Sequence, residues 1–413
     1  MKARLILAAL LTVACTPGTF GPVPDERQSA WQDMEYYMFC HFGPNTFTDK
    51  EWGDGTENPD VFCPEALDCD QWAATAEAAG MKGIVITAKH HDGFCLWPSA
   101  YSNHTVAQSS WRNGKGDVLR ELSDACRAHG LKFGIYISPW DRNHPTYGTE
   151  AYNAVFANTV REAHEKYGPV FEQWFDGACK PGPGQRAMPY DWDLFNSTVY
   201  SVSPDAVIFS DVGPDCRWVG NEKGYVGETN WCRLDTEGFT PGAGAPPRDT
   251  LNMGNVYGSH WIPAECDVSI RPGWFYSPDT DDKVKTVDEL MEIWFASVGR
   301  GANLILNVPP DRTGRINSID STRLMEFKAA RDAFFSEKDG SDCVVIMEDL
   351  RYGQKIRSFV VEAKGPSGWK QVASGTTVGH KRIVRFPHQD TDRIRVRVTA
   401  SFGKPLIRSV ETY

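Results

Sequence analysis

The sequence has no surplus of positive charge. Its net charge is −11, which argues against nucleic acid as a partner, because that binding rests on Lys and Arg neutralising phosphates. The same balance argues against an anionic membrane surface. None of its 11 cysteines forms a C-x-x-C pair, so zinc knuckles and thioredoxin-like redox sites are not expected. No internal repeat or low-complexity stretch occurs, and beyond the first residues no run is apolar enough to cross a bilayer.

What is present suits a large, well-packed globular chain. A chain of 413 residues fits one large domain plus a smaller one. Hydrophobic residues make up 41% and aromatics 12%, with 14 Trp; Trp and Tyr are common where flat apolar faces, including sugar rings, are stacked upon. The N-terminus reads as an export leader: Lys2 and Arg4, an apolar run from Leu5 to Val13, then L-T-V-A-C ending at Cys15. That ending resembles a bacterial lipoprotein cleavage site, which would make Cys15 a lipidated N-terminus in the periplasm or on the outer membrane. The alternative is an ordinary signal peptide with an incidental Cys. Residues 1–25 are therefore set aside as leader and linker. Of the ten other cysteines, Cys40 and Cys95 lie in strand-like apolar runs, where Cys behaves as a small hydrophobe. In an exported protein some of the ten can pair, in combinations the sequence does not specify.

From residue 36 to 310 short β-rich runs alternate with longer helical ones. Strands are expected at 36–43, 83–90, 132–139, 170–177, 206–213, 267–272 and 302–308. Helices are expected at 68–80, 116–130, 150–168, 288–298 and 320–336. The strands are nearly continuous apolar runs, as when both faces are buried. Repeated β-then-α units imply a parallel sheet, and their number favours a closed (β/α)8-like barrel. The Gly/Pro-rich region 214–266 gives no strand that can be placed. Residues 342–413 switch to period-two alternation, as in R-S-F-V-V-E-A (357–363) and R-I-R-V-R-V-T (393–399), which indicates a small antiparallel β module. The expected organisation is a barrel over 26–338 and a β-sandwich-like module over 339–413, short for a sandwich.

A parallel barrel carries its active site at the C-terminal ends of its strands. Those ends should then be polar and aromatic, and they are: His41, K-H-H-D-G-F (89–94), Y-I-S-P-W-D (136–141), W-F-D-G-A (174–178) and Asp211. Asp176, among aromatics at a strand end, suits a nucleophile, the alternative being an N-cap for the next helix. His90 and His91 suit a hydrogen-bond network or sugar hydroxyls. Adjacent strand residues face opposite ways, so joint metal ligation by both requires the strand to break there. No metal or cofactor is expected.

Together H-F-G (41–43), E-W (51–52), K-H-H-D-G-F (89–94), Y-I-S-P-W (136–140), W-F-D-G (174–177), D-V-S-I-R-P-G-W-F-Y (267–276) and G-A-N-L-I-L-N-V-P-P (301–310) resemble glycoside hydrolase family 29, the α-L-fucosidases. The likeness runs from about residue 30 to 315. It implies a retaining double displacement on fucosylated oligosaccharides or glycoconjugates, with Asp176 as nucleophile. The segment R-W-V-G-N-E (217–222) is similar to the acid-bearing segment of the branch that cleaves α-1,3 and α-1,4 fucosyl links, which makes Glu222 the acid/base, with Glu51 as runner-up. The resemblance also implies that His41, Trp52, His90 and His91 grip fucose hydroxyls. Tyr136 borders the nucleophile, and Trp274 packs on the sugar. Arg271 orients a carboxylate or caps its strand. Three other readings stand beside this one: a non-catalytic fucose-binding protein, a metal-dependent barrel hydrolase using the histidines and Asp176, and a glycosidase for another sugar or linkage.

Overall fold

The computed structural model describes residues 18–179, 187–336, 339–391 and 393–413. Cys15 lies outside the described residues. Eight strands form the barrel: β1 Tyr36–Cys40, β2 Gly83–Lys89, β3 Lys132–Ile137, β4 Val170–Trp174, β5 Val207–Ser210, β6 Cys216–Trp218, β7 Ala264–Ser269 and β8 Asn303–Asn307. Every neighbouring pair is parallel, and the ring closes where β1 lies between β2 and β8. The apolar runs that marked β1 and β2 are buried along their whole length, because helices cover the outside and side chains fill the inside.

The helices on the outer face are α1 Cys69–Ala78, α2 Val118–Ala128, α3 Ala151–Tyr167, α4 Trp192–Val202, α5 Val287–Ala296 and α6 Ser318–Phe334. Side-chain caps fix the starts of α1, α2, α4 and α5. Asp68, Asp117 and Asp191 each accept from a backbone N–H in the first turn, and Thr286 forms a capping box with Glu289. Gly80 and Gly130, just past α1 and α2, adopt φ of 76° and 66°, the left-handed turn that a Cβ disfavours.

Two parts of the barrel depart from the sequence expectation. Strand β6 lies inside the region that gave no placeable strand. It follows β5 after only residues 211–215, with no helix between them. Asp215 holds that reversal: its carboxylate accepts from Ile208 N at 2.8 Å, from Tyr200 Oη at 2.8 Å and from the Arg27 guanidinium. Strand β7 starts at Ala264 and ends at Ser269 rather than spanning 267–272. Residues 219–263, between β6 and β7, form a long insertion at the rim, pinned by Arg217, whose buried guanidinium donates to Leu251 O and Asn230 Oδ1.

The C-terminal residues form two three-stranded antiparallel sheets. With β9 Ser341–Glu348, β10 Ile356–Gly365, β11 Gly368–Gly375, β12 Arg382–Gln389, β13 Ile394–Ser401 and β14 Ile407–Thr412, the orders are β12-β9-β14 and β11-β10-β13. Their inner faces meet through Val344, Ile346, Phe359, Val361, Val384 and Phe386. The module is a minimal sandwich. Part of the expected linker docks on it, with Phe20 stacked on Phe402 at 4.0 Å. The module also braces the rim insertion: Gln354 accepts from Cys232 N and donates to Asn230 O, both at 2.8 Å, and Thr377 accepts from Asn230 N at 2.9 Å.

After β7, Arg271 pins the chain to α6. Its guanidinium reaches Asp320 Oδ1 at 2.7 Å, with both side chains fully buried, and Asp281 Oδ1 at 2.9 Å. Removing Asp320 leaves the buried guanidinium with only the partly exposed Asp281 to balance it. Asp320→Ala should therefore lower unfolding stability by about 3–5 kcal/mol in denaturant titration, and a loss below 1 kcal/mol would show that the clamp contributes little.

Candidate active site

One cavity of about 350 Å³ opens at the C-terminal end of the barrel. Its wall brings together Asp176, Glu222, His41, His90, His91, Trp52 and Trp274 of the residues picked from sequence. Asp176 follows β4 and keeps 21% of its side chain accessible, so a ligand can reach it. Among the described residues it caps no helix, and Asp191 caps α4. Instead its Oδ1 accepts from Ala178 N at 2.7 Å and its Oδ2 from Tyr136 Oη at 2.8 Å, with His91 Nε2 at 3.6 Å. Burial holds the Asp176 carboxyl above the usual aspartate range, and the Ala178 and Tyr136 donors work against that rise. Tyr136 lies below the cavity wall. Burial and the Asp176 charge push its phenol well up, so it stays a donor.

The three histidines are buried and neutral. Burial lowers His41 and His91 to about 3 and depresses His90 well below its ordinary value. Asn307 donates to Ser269 Oγ and to Trp274 O, which leaves its Oδ1 to accept from His41 N and from His41 Nδ1 at 2.9 Å. With Nδ1 protonated, His41 Nε2 is an acceptor, suited to a hydroxyl. His91 Nδ1 meets Ser138 Oγ at 2.7 Å. Strand β2 ends at Lys89, so the alternation stops there, and the His90 and His91 rings lie 4.1 Å apart and both face the cavity. The break that joint ligation requires is thus present, and His90, His91 and Asp176 offer donor atoms within 4.8 Å of one another. Two of those three side chains are already engaged by Tyr136, Ala178 and Ser138.

The two acid candidates sit on either side of Trp274. The Trp274 indole hydrogen-bonds the Glu222 carboxyl, and Trp274 N donates to both oxygens of Glu51, at 3.1 and 3.0 Å. Glu222 lies at the cavity mouth, whereas Glu51 is outside the lining and committed to backbone N–H groups. Burial and the charge of Asp176 raise the Glu222 carboxyl above its ordinary value, against the Trp274 hydrogen bond. Trp52, 54% exposed, stands edge-on to His91 and Trp140 at the rim.

Arg271 is not at the site. Its donors are spent on Asp320, Asp281, Thr280 and Ser277, so it fixes the loop that carries Trp274 and has no carboxylate of the cavity to orient. Asp211, read from sequence only as the polar end of a strand, lines the wall, and Asp267, Trp218 and Arg248 line it without having been given a role from sequence. Asp211 accepts from Gly242 N. Asp267 is buried on β7 and accepts from Trp218 Nε1 at 3.0 Å. Burial, and then the charges of Glu222 and Glu265, push its carboxyl well up. Trp218 ends β6, and Arg248 reaches the wall from the insertion.

Tyr136→Phe removes one of the donors that favour the Asp176 anion. A hydrogen bond to a charged group is worth about 1.5–3 kcal/mol, so the Asp176 titration should move up by about one to two pH units in a carbon-NMR titration of labelled aspartate. An unmoved titration would show that the phenol does not stabilise the anion.

The alpha-L-fucosidase family model matches residues 22–329 of the chain. Alpha-L-fucosidase 1 of Arabidopsis thaliana is 38% identical over 95% of this chain and 87% of its own length. A solved glycoside hydrolase 29 family member from an unknown rumen bacterium superposes with a TM-score of 0.89 at 41% identity, covering 96% of this chain and 78% of that one. A Ruminococcus gnavus GH29 fucosidase solved in complex with fucose gives 0.86 at 29% identity and covers 96% of both chains. The chain belongs to glycoside hydrolase family 29 and is an α-L-fucosidase, a hydrolase of fucose-containing substrates.

Proposed function

We propose that the enzyme releases terminal α-1,3- or α-1,4-linked L-fucose with retention, using Asp176 as nucleophile and Glu222 as acid/base. The observation that carries this assignment is that both carboxyls line one cavity and Asp176 raises Glu222, whereas Glu51 is tied to the Trp274 loop. An Asp176 oxygen attacks the anomeric carbon as its bond to the leaving oxygen breaks, and Glu222 gives that oxygen its proton. Glu222 then takes a proton from water, which attacks the same carbon and frees Asp176. Retention calls for the two carboxyls roughly 5–5.5 Å apart. His41, His90 and His91 hold fucose hydroxyls as neutral imidazoles, and Trp274 stacks on the sugar. Trp52, Trp218 and Arg248 edge the mouth, where the leaving glycan lies.

The linkage preference is supported by the R-W-V-G-N-E segment, which puts Glu222 on the loop directly after β6. Fucose-bound crystals of the Ruminococcus gnavus relative fit a substrate with fucose in the cavity. The metal-dependent reading has the donor set of His90, His91 and Asp176 in its favour. The hydrogen bonds that those groups already make favour the metal-free displacement.

Asp176→Gly should cut turnover by about 10⁴-fold or more; unchanged activity would remove the nucleophile assignment. In the wild type kcat/KM should rise with pH as Asp176 loses its proton and fall as Glu222 loses its own. Both carboxyls sit above their ordinary values, so both limbs should lie above those of free Asp and Glu, and Glu222→Gln should abolish the alkaline limb. For linkage, product analysis on Lewis trisaccharides beside 2′-fucosyllactose should show release from the former, and preferential release from 2′-fucosyllactose would overturn that assignment.

A further inference from the structure

Beneath the cavity floor lie two carboxylic acids that the displacement does not use. Glu172 on β4 and Glu265 on β7 both point into the barrel, and neither has any exposed surface. Barrel interiors are ordinarily filled by branched apolar side chains, and burying an unpaired charge is costly. The Glu172, Glu265 and Cys216 side chains offer atoms within 4.8 Å of one another. The hydrogen bonds distinguish the two acids. Both oxygens of Glu265 accept, Oε1 from Trp174 Nε1 at 2.9 Å and Oε2 from Tyr37 Oη. Glu172 Oε1 meets the weak Cys216 Sγ donor at 3.7 Å, and Oε2 makes no hydrogen bond of ordinary geometry, although the Tyr37 and Trp31 side chains stand close enough to favour its anion. An ionised carboxylate only accepts, whereas a neutral acid brings its own donor. Glu265 is therefore placed as the anion and Glu172 as the acid hydrogen-bonded to it. The side-chain interactions on Glu265 come from Glu172, Tyr37 and Trp174, and none is a cation.

Trp174 connects this pair to the chemistry. Its indole N–H is on Glu265, while its ring lines the cavity. The same ring stacks on Tyr136 at 5.2 Å and on Phe209 at 4.1 Å, and Tyr136 holds Asp176. Fucosyl transfer passes through an oxocarbenium-ion-like, positively charged sugar. We propose that Glu172 and Glu265 share one proton, and that the single negative charge kept under Trp174 favours that cationic transition state over the neutral bound sugar. The pair touches no substrate atom. It positions Trp174 and supplies a fixed charge in a medium that screens it poorly. The inference rests on the retaining reading above only through the charge that develops on the sugar.

The test compares the wild type with Glu172→Gln and with Glu172→Gln/Glu265→Gln, which conserves volume but carries no charge. Fucose, which is neutral, reports the shape of the pocket, and a protonated fucose-configured iminosugar reports its charge. Glu172→Gln keeps the Glu265 anion and offers it an amide donor, so the ratio of the two affinities should stay within about twofold of wild type. The double variant should lose about fivefold or more of iminosugar affinity relative to fucose, with kcat falling alongside. Equal loss for both ligands, or none, overturns the proposal, since a purely structural role moves both together. Should the double variant not fold, infrared spectra of wild type and Glu172→Gln decide. A neutral-carboxyl stretch present at neutral pH and lost in Glu172→Gln is expected, and identical spectra overturn the proposal. Activity retained in Asp176→Gly would instead remove the nucleophile while leaving the affinity ratio as it is, so the two failures are distinguishable.

Discussion

Side chains on a strand alternate between two faces, and closing the sheet turns one of those faces into an interior that opens only at its ends. On β1 this alternation sends Tyr37 and Phe39 inward, and His41 follows them to the rim. On β4 it sends Glu172 and Trp174 inward with Asp176 above them, and on β7 it sends Glu265 and Asp267. The interior is thus layered. Carboxyls and a phenol lie lowest, aromatic rings form the floor above them, and the histidines and Asp176 stand at the opening. Position along a strand decides which layer a residue joins.

The opening works because its polar groups hold one another. Tyr136 and Ala178 fix the two oxygens of Asp176, Ser138 fixes His91, and Asn307 fixes His41 while tying down the Trp274 backbone. Burial keeps the imidazoles uncharged. Neutral rings can bind hydroxyls without adding positive charge beside a sugar that the proposed displacement makes cationic. The site is therefore set up before any ligand arrives, with little reorganisation left for the reaction itself.

Much of this was legible in the chain. The strands β1 to β4 are short apolar runs with polar ends, and that pattern placed His41, His90, His91, Tyr136 and Asp176 at one rim. Its failures have physical causes. Strand β7 contains A-E-C-D-V-S, whose inward acids break the apolar run, so only its end and the residues after it looked like a strand. Asp267 opened the expected strand but was given no role, although Glu265 and Asp267 at alternate positions were a usable signal. Strand β6 has three residues and no crossover helix before it, so no periodicity announces it. Arg271 stood in a motif beside Trp274 and was grouped with it, but its partner Asp320 is far along the chain on α6, a pairing no local pattern reveals.

The contact between Gln354 and Thr377 and the insertion at Asn230 and Cys232 bears on how such an enzyme can change over generations. The loop that bears Glu222 does not stand on the barrel alone, because its far half is hydrogen-bonded to the terminal sheets. Recombination that exchanged those sheets for another unit would leave Asp176 and the histidines intact while loosening the ground under Glu222, the proposed proton donor. Barrel and appendage are in that sense one inheritable object, and on the proposed roles their separation would be felt first in leaving-group departure rather than in recognition of the sugar.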